Sequence, residues 1–456
     1  MSGTILAIAD SDSYLKYAVH FLEHLPQWRR QVMVVRSPVQ PTSVQTRAAL
    51  DGTFLQGRTP AVLPLKRLAA NANPAPDVVL VAATGPVARE VLLQFSTAGG
   101  RRPALVTALP GISLPATRRA LAFRELCDLF LVHSLAEAEA FAGFAAAPLP
   151  VPDADPVTAA LELTAALAAG PDPERPDDDG PDPADVPEPE EQAPAEPPLG
   201  QQPLVAPDMA LARLPMLRHH VPPEPAEVPV RRLVFAAQAK MPFLKEERCL
   251  VLRELAATAR ERPELSVVLK LRARRGEPQT HREAHPYDTL WDELVQEGLV
   301  RGDELTWEAG PLAPLLTPGT ALVTVSSTAA VEAVDRGLPV AVLSDFGVSD
   351  ELLNAMFTGS GLLTTLGEVR ALRIPVLDPR WAAKNYFHAA RDVAASPWPD
   401  AVEALDALAE RARAGGLGTD PEILVRARSR AWRARLRTRL PQPVLRASHL
   451  LRQVTG

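Results

Sequence analysis

Cysteine is scarce in this chain, and its scarcity excludes a small secreted domain held together by disulfides. Two cysteines, Cys127 and Cys249, occur among 456 residues, and both have apolar neighbours along the sequence. We therefore expect buried free thiols, which are typical of a protein that stays in a reducing cytoplasm.

Long apolar runs are also missing. No run of about 18 apolar residues, the length needed to cross a bilayer, occurs in the sequence. The opening segment, MSGTILAIADSDSY, has no basic region and no small-residue cleavage pattern, and its apolar run at 5–9 is too short for a signal or a span. These absences predict a cytoplasmic protein, either soluble or peripheral at the inner face of the membrane.

The motifs of several enzyme classes are absent as well. The chain contains no GxxxxGKS/T loop, no GxGxxG loop, no HExxH helix and no GxSxG turn. Without a His and Cys cluster at metal-ligand spacing, we expect neither a metal nor a cofactor. No zinc-finger, RNA-recognition or helix-turn-helix pattern is present, which predicts no sequence-specific contact with nucleic acid.

What is present is a globular composition with one disordered interruption. The chain is 46% hydrophobic, which provides for two or three domains with cores. Segment 170–198 is almost entirely Pro, Asp, Glu and Ala, so it cannot bury enough apolar surface to fold and is either an inert spacer or an acidic tether. The predicted boundaries are an N-terminal domain at 1–165, an acidic disordered insertion at 166–205, a C-terminal domain at 206–395, and C-terminal helices with a basic tail at 396–456.

Short apolar runs alternate with helical spacing in both predicted domains, and each run ends in a polar or glycine turn. The runs lie at 4–9, 32–35, 77–82, 104–108 and 129–132, and then at 233–237, 265–269, 305–307, 321–325 and 338–343. This pattern predicts the α/β fold class, with two Rossmann-like parallel-sheet domains that face a cleft. Because such sheets bind ligands outside the carboxyl ends of their strands, the polar residues at strand ends are the candidate site residues.

Three consecutive hydroxyl residues, Ser326, Ser327 and Thr328, lie between one of these runs and a predicted helix at 329–335. Free backbone N–H groups and the helix dipole attract anions at such a turn, so we expect a bound phosphate there. Glu332 follows on the same helix and could reach a ribose hydroxyl. The alternative is that the hydroxyls only cap the helix and that Glu332 is solvated.

A dense basic cluster follows the run at 265–269. Its members are Lys270, Arg272, Arg274, Arg275, His281 and His285, with Pro286 directly after. A neighbouring parallel strand would place this cluster beside the serine-rich turn, which indicates recognition of nucleotide phosphates; the alternative is a solvated loop. Gln238 and Lys240, at the end of the run 233–237, belong to the same predicted nucleotide site.

Candidate catalytic groups end two strands of the predicted first domain. Asp10 and Asp12 follow the first run, where a carboxylate facing the cleft could deprotonate an acceptor hydroxyl. Asp12 could instead only cap the next helix. His133 ends the run at 129–132 and could be a base, an acceptor contact or a cap.

The C-terminal segment carries an arginine at nearly every second position from Arg426 to Arg439. On a helix these side chains would cover most of the circumference, which suits an anionic surface such as membrane lipid or an anionic polymer. The alternative is a solvated helix whose arginines pair with acidic residues of the same chain.

Several of these features together resemble the GT-B glycosyltransferases. The resemblance is carried by the two α/β halves, by Ser326-Ser327-Thr328 followed by a helix and Gly-Leu-Pro-Val, and by His285-Pro286. Within GT-B enzymes the chain looks most like the bacterial capsule-polysaccharide and sialyltransferase type. That group also has an acidic-acidic-Gly motif in its first domain, which has no good copy here; Asp51-Gly52 is a poor one.

The resemblance implies a metal-independent glycosyltransferase whose second domain holds a nucleotide-sugar donor, with CMP-linked nonulosonic acid favoured. The acceptor would be a cell-surface polysaccharide or glycolipid, and the Arg-rich C-terminus could contact an anionic membrane. One alternative is a teichoic-acid-type glycerophosphotransferase that uses CDP-glycerol. Another is a non-catalytic protein that binds a nucleotide or a polymer.

Overall fold

The computed structural model describes residues 3–37, 39–146, 207–225, 228–272 and 283–437. The predicted insertion at 166–205 therefore lies outside the described residues. The same is true of Arg274, Arg275 and His281 in the predicted basic cluster, and of Arg439 near the C-terminus.

The first sheet consists of parallel strands only. Its strands are β1 Thr4–Ala9, β2 Arg29–Val35, β3 Ala61–Leu63, β4 Val78–Ala82, β5 Ala104–Ala108, β6 Leu129–Val132 and β7 Asp208–Leu211. They lie in the order β3-β2-β1-β4-β5-β6-β7. β4 and β5 are completely buried, as expected for strands with helices on both faces, and for this reason they appear in the sequence as continuous apolar runs.

Helices cover both faces of this sheet. They are α1 Asp12–Glu23, α2 Ser43–Leu50, α3 Leu68–Asn71, α4 Gly85–Thr97, α5 Arg118–Ala122 and α6 Leu135–Ala146, with a 3₁₀ turn at Leu65–Arg67. Leu15 and Leu22 of α1 pack into the core on one face, whereas Val91 and Leu92 of α4 pack into the core on the other.

The second sheet repeats the same design with a different set of strands. These are β8 Arg232–Ala236, β9 Ser266–Lys270, β10 Thr306–Glu308, β11 Thr320–Thr324, β12 Val340–Leu343 and β13 Leu363–Thr364. All neighbouring pairs are parallel, in the order β10-β9-β8-β11-β12-β13. Its helices are α7 Lys245–Glu261, α8 Tyr287–Gln296, α9 Ala329–Val334, α10 Leu366–Arg370, α11 Pro379–Lys384 and α12 Ala390–Ala394, with 3₁₀ turns at Ala313–Leu315 and Ala355–Phe357.

The end of the described chain returns to the first sheet. Two further helices, α13 Ala401–Arg413 and α14 Pro421–Arg437, follow α12. Leu405 and Leu408 of α13 join the core on the α1 side, and Ala427 and Ala431 of α14 join the core on the α4 side. β7 also pairs with β6 in the first sheet, although its residues fall inside the range 206–395 predicted for the second domain.

Each sheet has one place where the strand order reverses direction along the chain. In the first sheet this point lies between β1 and β4, which we call the first crevice; in the second it lies between β8 and β11, which we call the second crevice. Ligands of doubly wound sheets bind at such switch points. The observed topology confirms the predicted fold class of two Rossmann-like parallel-sheet domains.

Gly337 illustrates how the sequence ends α9 and starts the next strand. Its φ of +63° lies in the left-handed region, which costs least for glycine, and an added Cβ would lie 3.0 Å from the carbonyl oxygen of Glu224. The chain therefore turns sharply into β12 and makes a close contact with the segment that connects the two sheets.

Candidate active site between the two domains

Gln238 and Ser326 join the two strands that border the second crevice. The side-chain amide of Gln238 donates to the Ser326 hydroxyl at 2.9 Å, and the Ser326 backbone N–H donates back to the Gln238 side-chain oxygen at 2.9 Å. The structure thus brings two predicted nucleotide-site residues together. Because the Ser326 side chain is buried and already bonded, it fixes the floor of the crevice.

Ser327 and Thr328 form the serine-rich turn above this floor. The Ser327 hydroxyl accepts the backbone N–H of Ala329 at 3.1 Å, whereas Thr328 holds the N-cap position and makes no side-chain cap bond. Thr328 is half-buried, and its hydroxyl would lie 2.9 Å from a Cβ added to Gly111 of the first domain. A loop of the first domain therefore closes directly over this turn.

The helix behind the turn is short. α9 has six residues, fewer than two full turns, so its dipole and free N–H groups offer a phosphate only weak attraction. An anion bound here must be held mainly by side-chain cations.

Lys270 and Arg272 supply such cations from the end of β9. Lys270 is half-buried, and burial, followed by the charges of Arg272 and Lys16, lowers its pKa to about 8; the Glu332 carboxylate opposes this shift. Arg272 is exposed and interacts with the charges of Glu283 and Asp12. Cations that repel one another in this way gain from a bound anion.

Lys16 extends this cluster from the other domain. Its Nζ lies 3.9 Å from Oε1 of Glu332, so the ion pair crosses from α1 to α9. Lys16 is not among the site residues predicted from the sequence. The sequence does indicate its position, because Lys16 follows Asp12 by four residues and therefore lies on the same face of the helix.

Asp12 is the first residue of α1 and is half-buried. Burial raises the pKa of its carboxyl, and the charges of Lys16 and Arg272 oppose this shift. The N-cap position belongs to Ser11 rather than to Asp12, so the capping interpretation of Asp12 finds no support. We call the following group the interdomain site: Asp12, Lys16, Lys270, Arg272 and Glu332.

Asp10 lies in the first crevice, away from this group. Its side chain is fully buried and accepts hydrogen bonds from the backbone N–H of Thr84, at 3.0 Å, and from the Thr84 hydroxyl. Burial raises the pKa of Asp10, and the bonds from Thr84 oppose this shift. These contacts tie the end of β1 to the turn before α4, so Asp10 shapes the crevice but is not accessible to an acceptor in this conformation.

The environment of His133 argues against its predicted catalytic role. The side chain is fully buried, with Nδ1 3.0 Å from the carbonyl oxygen of Ala212 and Nε2 3.0 Å from that of Leu109. Both ring nitrogens face acceptors, so neither is available to take a proton from a substrate. The connecting segment that contains Ala212 covers this strand end.

The remaining predicted nucleotide-site residues differ in their placement. Lys240 is exposed on the loop after β8. His285 is half-buried, and Pro286 is the N-cap residue of α8. The His285 carbonyl accepts a hydrogen bond from Arg248 at 3.0 Å, and Arg248 also bonds the carbonyl of Gln238 at 3.2 Å. The segment that holds His285 therefore lies against the loop at the second crevice.

Two of the C-terminal arginines are engaged within the protein. Arg426 and Arg430 lie 3.7 and 2.7 Å from the buried carboxylate of Glu125. Arg426 and Arg430 therefore pair with an acidic residue of the same chain, which is the alternative to contact with an anionic surface. Arg428 and Trp432 of α14 are exposed, Trp432 with 63% of its surface in solvent.

The sequence as a whole matches one protein family over most of its length. Residues 5–182 and 198–405 match the family described as "Putative glycosyltransferase (DUF6716)". The chain belongs to this family. Membership confirms the predicted enzyme class, a glycosyltransferase, and together with the two Rossmann-like domains it supports the GT-B part of the resemblance.

Solved structures with a similar arrangement are distant in sequence. A UDP-N-acetylglucosamine 2-epimerase from Listeria monocytogenes is 11% identical, with a TM-score of 0.46 and coverage of 89% of this chain and 90% of that one. The spinosyn rhamnosyltransferase SpnG with thymidine diphosphate is 13% identical, with a TM-score of 0.39 and coverage of 93% and 99%. The pneumococcal O-GlcNAc transferase GtfA with UDP and GlcNAc is 11% identical, with a TM-score of 0.41 and coverage of 94% and 99%.

No curated protein sequence matches the chain. Within the described residues, every helix is too short or too polar to cross a membrane.

Proposed function

We propose that this glycosyltransferase binds the nucleotide part of its sugar donor at the second crevice and transfers the sugar to an acceptor held against the first domain. One observation carries the proposal. Lys16 of the first domain pairs with Glu332, which lies on the helix after the serine-rich turn. The charge of Lys270 in the second domain interacts with those of Lys16, Glu332 and its neighbour Arg272, and Arg272 in turn interacts with Asp12. A phosphate bound there would be stabilised by three positive charges.

These cations suit the charge that develops during glycosyl transfer. The bond between the anomeric carbon of the sugar and the phosphate oxygen breaks, and its electron pair leaves on the phosphate. Lys270 and Arg272 would stabilise that negative charge as it forms, which is the task that dominates such reactions. With this role filled by side chains, we propose that transfer proceeds without a metal and without a cofactor.

Asp12 is the proposed general base. It would take the proton from the acceptor hydroxyl while that oxygen forms the new bond to the anomeric carbon. Of the three predicted candidates it best fits this task, because Asp10 is buried against Thr84 and both nitrogens of His133 are occupied. Its raised pKa makes it a stronger base than an ordinary aspartate.

The donor and acceptor follow from the sequence resemblance. We propose a CMP-linked nonulosonic acid as donor, with Glu332 at the ribose hydroxyls and His285 near the nucleotide. The acceptor would be a cell-surface polysaccharide or a glycolipid. The exposed Trp432 and Arg428 of α14 offer a surface suited to an anionic membrane.

A donor panel tests this proposal. Purified protein is incubated with a CMP-linked nonulosonic acid, UDP-, GDP- and thymidine-diphosphate sugars and CDP-glycerol, and the released nucleotide is quantified. Slow release of CMP from the CMP-linked nonulosonic acid supports the proposal. Release of nucleotide from another sugar nucleotide would change the identity of the donor but leave the proposed glycosyl transfer in place. CMP release from CDP-glycerol alone would favour the glycerophosphotransferase, against which family membership argues.

The phosphate site has its own test within this panel. Lys270→Met combined with Arg272→Met should weaken binding of the preferred nucleotide at least tenfold, because each charged hydrogen bond contributes about 1.5–3 kcal/mol. Lys384→Met is the matched control, since Lys384 is a half-exposed lysine that pairs with Glu139 away from the site. If the Lys270 and Arg272 double variant binds the nucleotide as tightly as the Lys384 variant does, the nucleotide binds at another site.

A further inference from the structure

Arg248 is a fully buried arginine of α7. All of its hydrogen bonds are made to residues beside the second crevice. Its five N–H groups are matched by five acceptors within 3.2 Å. Three acceptors are carbonyls of the loop after β8: Gln238, Ala239 and Pro242. The other two belong to the segment before α8, namely the carboxylate of Glu283 and the carbonyl of His285.

These bonds connect the three segments that form the crevice. Arg248 holds the backbone of Gln238, and the side chain of Gln238 holds Ser326 at the end of β11. On its other side Arg248 holds the segment of His285. The guanidinium also lies over the ring of Tyr287, 4.9 Å from its centroid, which further fixes the first turn of α8.

The pairing with Glu283 has an electrostatic consequence for the interdomain site. Nη1 of Arg248 lies 2.5 Å from the Glu283 carboxylate, and this carboxylate also interacts with the charge of Arg272. Two arginines therefore share one acidic partner. While Arg248 is in place, Glu283 has a buried counter-charge, and Arg272 keeps positive charge available for an anion.

We propose that Arg248 is a positioning residue of the donor site, which sets the distance between the Gln238 loop and the His285 segment and engages the Glu283 carboxylate that also attracts Arg272. The inference rests on the proposed function of the same site. Arg248 would not contact the donor, since its five N–H groups are already bonded inside the protein.

The test uses the full chain and measures the dissociation constants of CMP, CDP, UDP and GDP by titration calorimetry, together with the melting temperature. Arg248→Met leaves Glu283 free to pair with Arg272, so the tightest nucleotide should bind at least tenfold more weakly. The double variant Arg248→Met with Glu283→Gln should recover part of this loss, because the neutral side chain no longer competes with the phosphate for Arg272.

Arg248→Lys separates the two effects. It keeps the charge that neutralises Glu283 but offers three donors in place of five, so affinity should fall by a few fold through loss of the backbone tethers. Leu255→Ala is the matched control, since this residue is fully buried on the same helix and its truncation lowers the melting temperature without touching the crevice.

The outcomes separate the inference from the function on which it rests. If the wild type binds none of the four nucleotides and they do not raise its melting temperature, the proposed function itself fails. If the wild type binds but Arg248→Met loses no more affinity than Leu255→Ala, or if the double variant recovers none of the loss, the positioning role of Arg248 is overturned.

Discussion

Lys16 of the first domain and Glu332 of the second form an ion pair across the interdomain site, with 3.9 Å between Nζ and Oε1. Glu332 also interacts with Lys270, so one carboxylate lies among cations from both domains. A nucleotide phosphate entering this site would meet the same cations. Donor binding and the closed arrangement of the two domains should therefore support each other.

Removing Lys16 tests this coupling. Lys16→Ala should weaken nucleotide binding by about three- to tenfold, because a partly exposed cation contributes on the order of 1 kcal/mol. The difference should shrink at 1 M salt, where the screening length falls to about 3 Å. Isothermal titrations at low and high salt measure both effects.

Lys66→Ala is the control for Lys16, as it removes an exposed lysine of the same domain on the 3₁₀ turn Leu65–Arg67. If both variants bind nucleotide as well as the wild type does, Lys16 takes no part in holding the donor.

Most of the strands were predictable from sequence because each fully buried parallel strand is a continuous apolar run that ends in a polar turn. That is why Gln238, Ser326, Lys270 and Asp12 could be named in advance. The short or partly exposed strands β3, β7 and β13 lack such a run and were not predicted. The polarity of a strand end does not show what covers it, and this is why the burial of His133 could not be predicted.

Other site features depend on contacts between residues far apart in the chain. Lys16 meets Glu332 only after the two domains have come together. Arg248 occupies an inward position of an amphipathic helix, where the periodicity gives no reason to expect a charge. Likewise, α13 and α14 pack on the first sheet through contacts with residues far away in the chain, which the local sequence pattern does not show.

The lowered pKa of Lys270 predicts that nucleotide affinity and the stability of the folded protein change in opposite directions with pH. Its pKa of about 8 in the folded protein lies below the usual 10.5. As pH rises through about 8, Lys270 loses its proton and nucleotide affinity should fall. Over the same interval, from about 8 towards 10.5, the unfolded chain binds more protons than the folded one, so stability without nucleotide should rise.

Titrations of nucleotide and urea melts across this pH range measure the two trends. Lys270→Met should flatten both curves, since the titrating group is gone. A wild-type affinity that stays constant between pH 7 and 10 would show that Lys270 does not hold the phosphate; this range brackets the folded pKa of about 8.

His133 should matter for stability and not for chemistry. His133→Phe removes the ring nitrogens that lie 3.0 Å from the carbonyl oxygens of Leu109 and Ala212, so the hydrogen bond that the ring donates there is lost. We expect a loss of about 1–3 kcal/mol per unsatisfied group in the free energy of unfolding. At temperatures where the variant is folded, kcat should stay within a few fold of wild type; a hundredfold fall without loss of stability would restore its catalytic role.

Asp12 should set the acid limb of the pH–rate profile. A general base must be ionised, so activity should fall as pH drops through the pKa of Asp12, which burial raises above the usual value for an aspartate. Asp12→Asn should lower kcat by about 10²–10⁴-fold with little change in KM, and its residual activity should lose the acid limb. Asp10→Asn is the informative comparison, because Asp10 bonds Thr84 inside the protein and its loss should lower the melting temperature more than kcat. An acid limb that persists in Asp12→Asn and disappears in Asp10→Asn would transfer the role of base from one aspartate to the other.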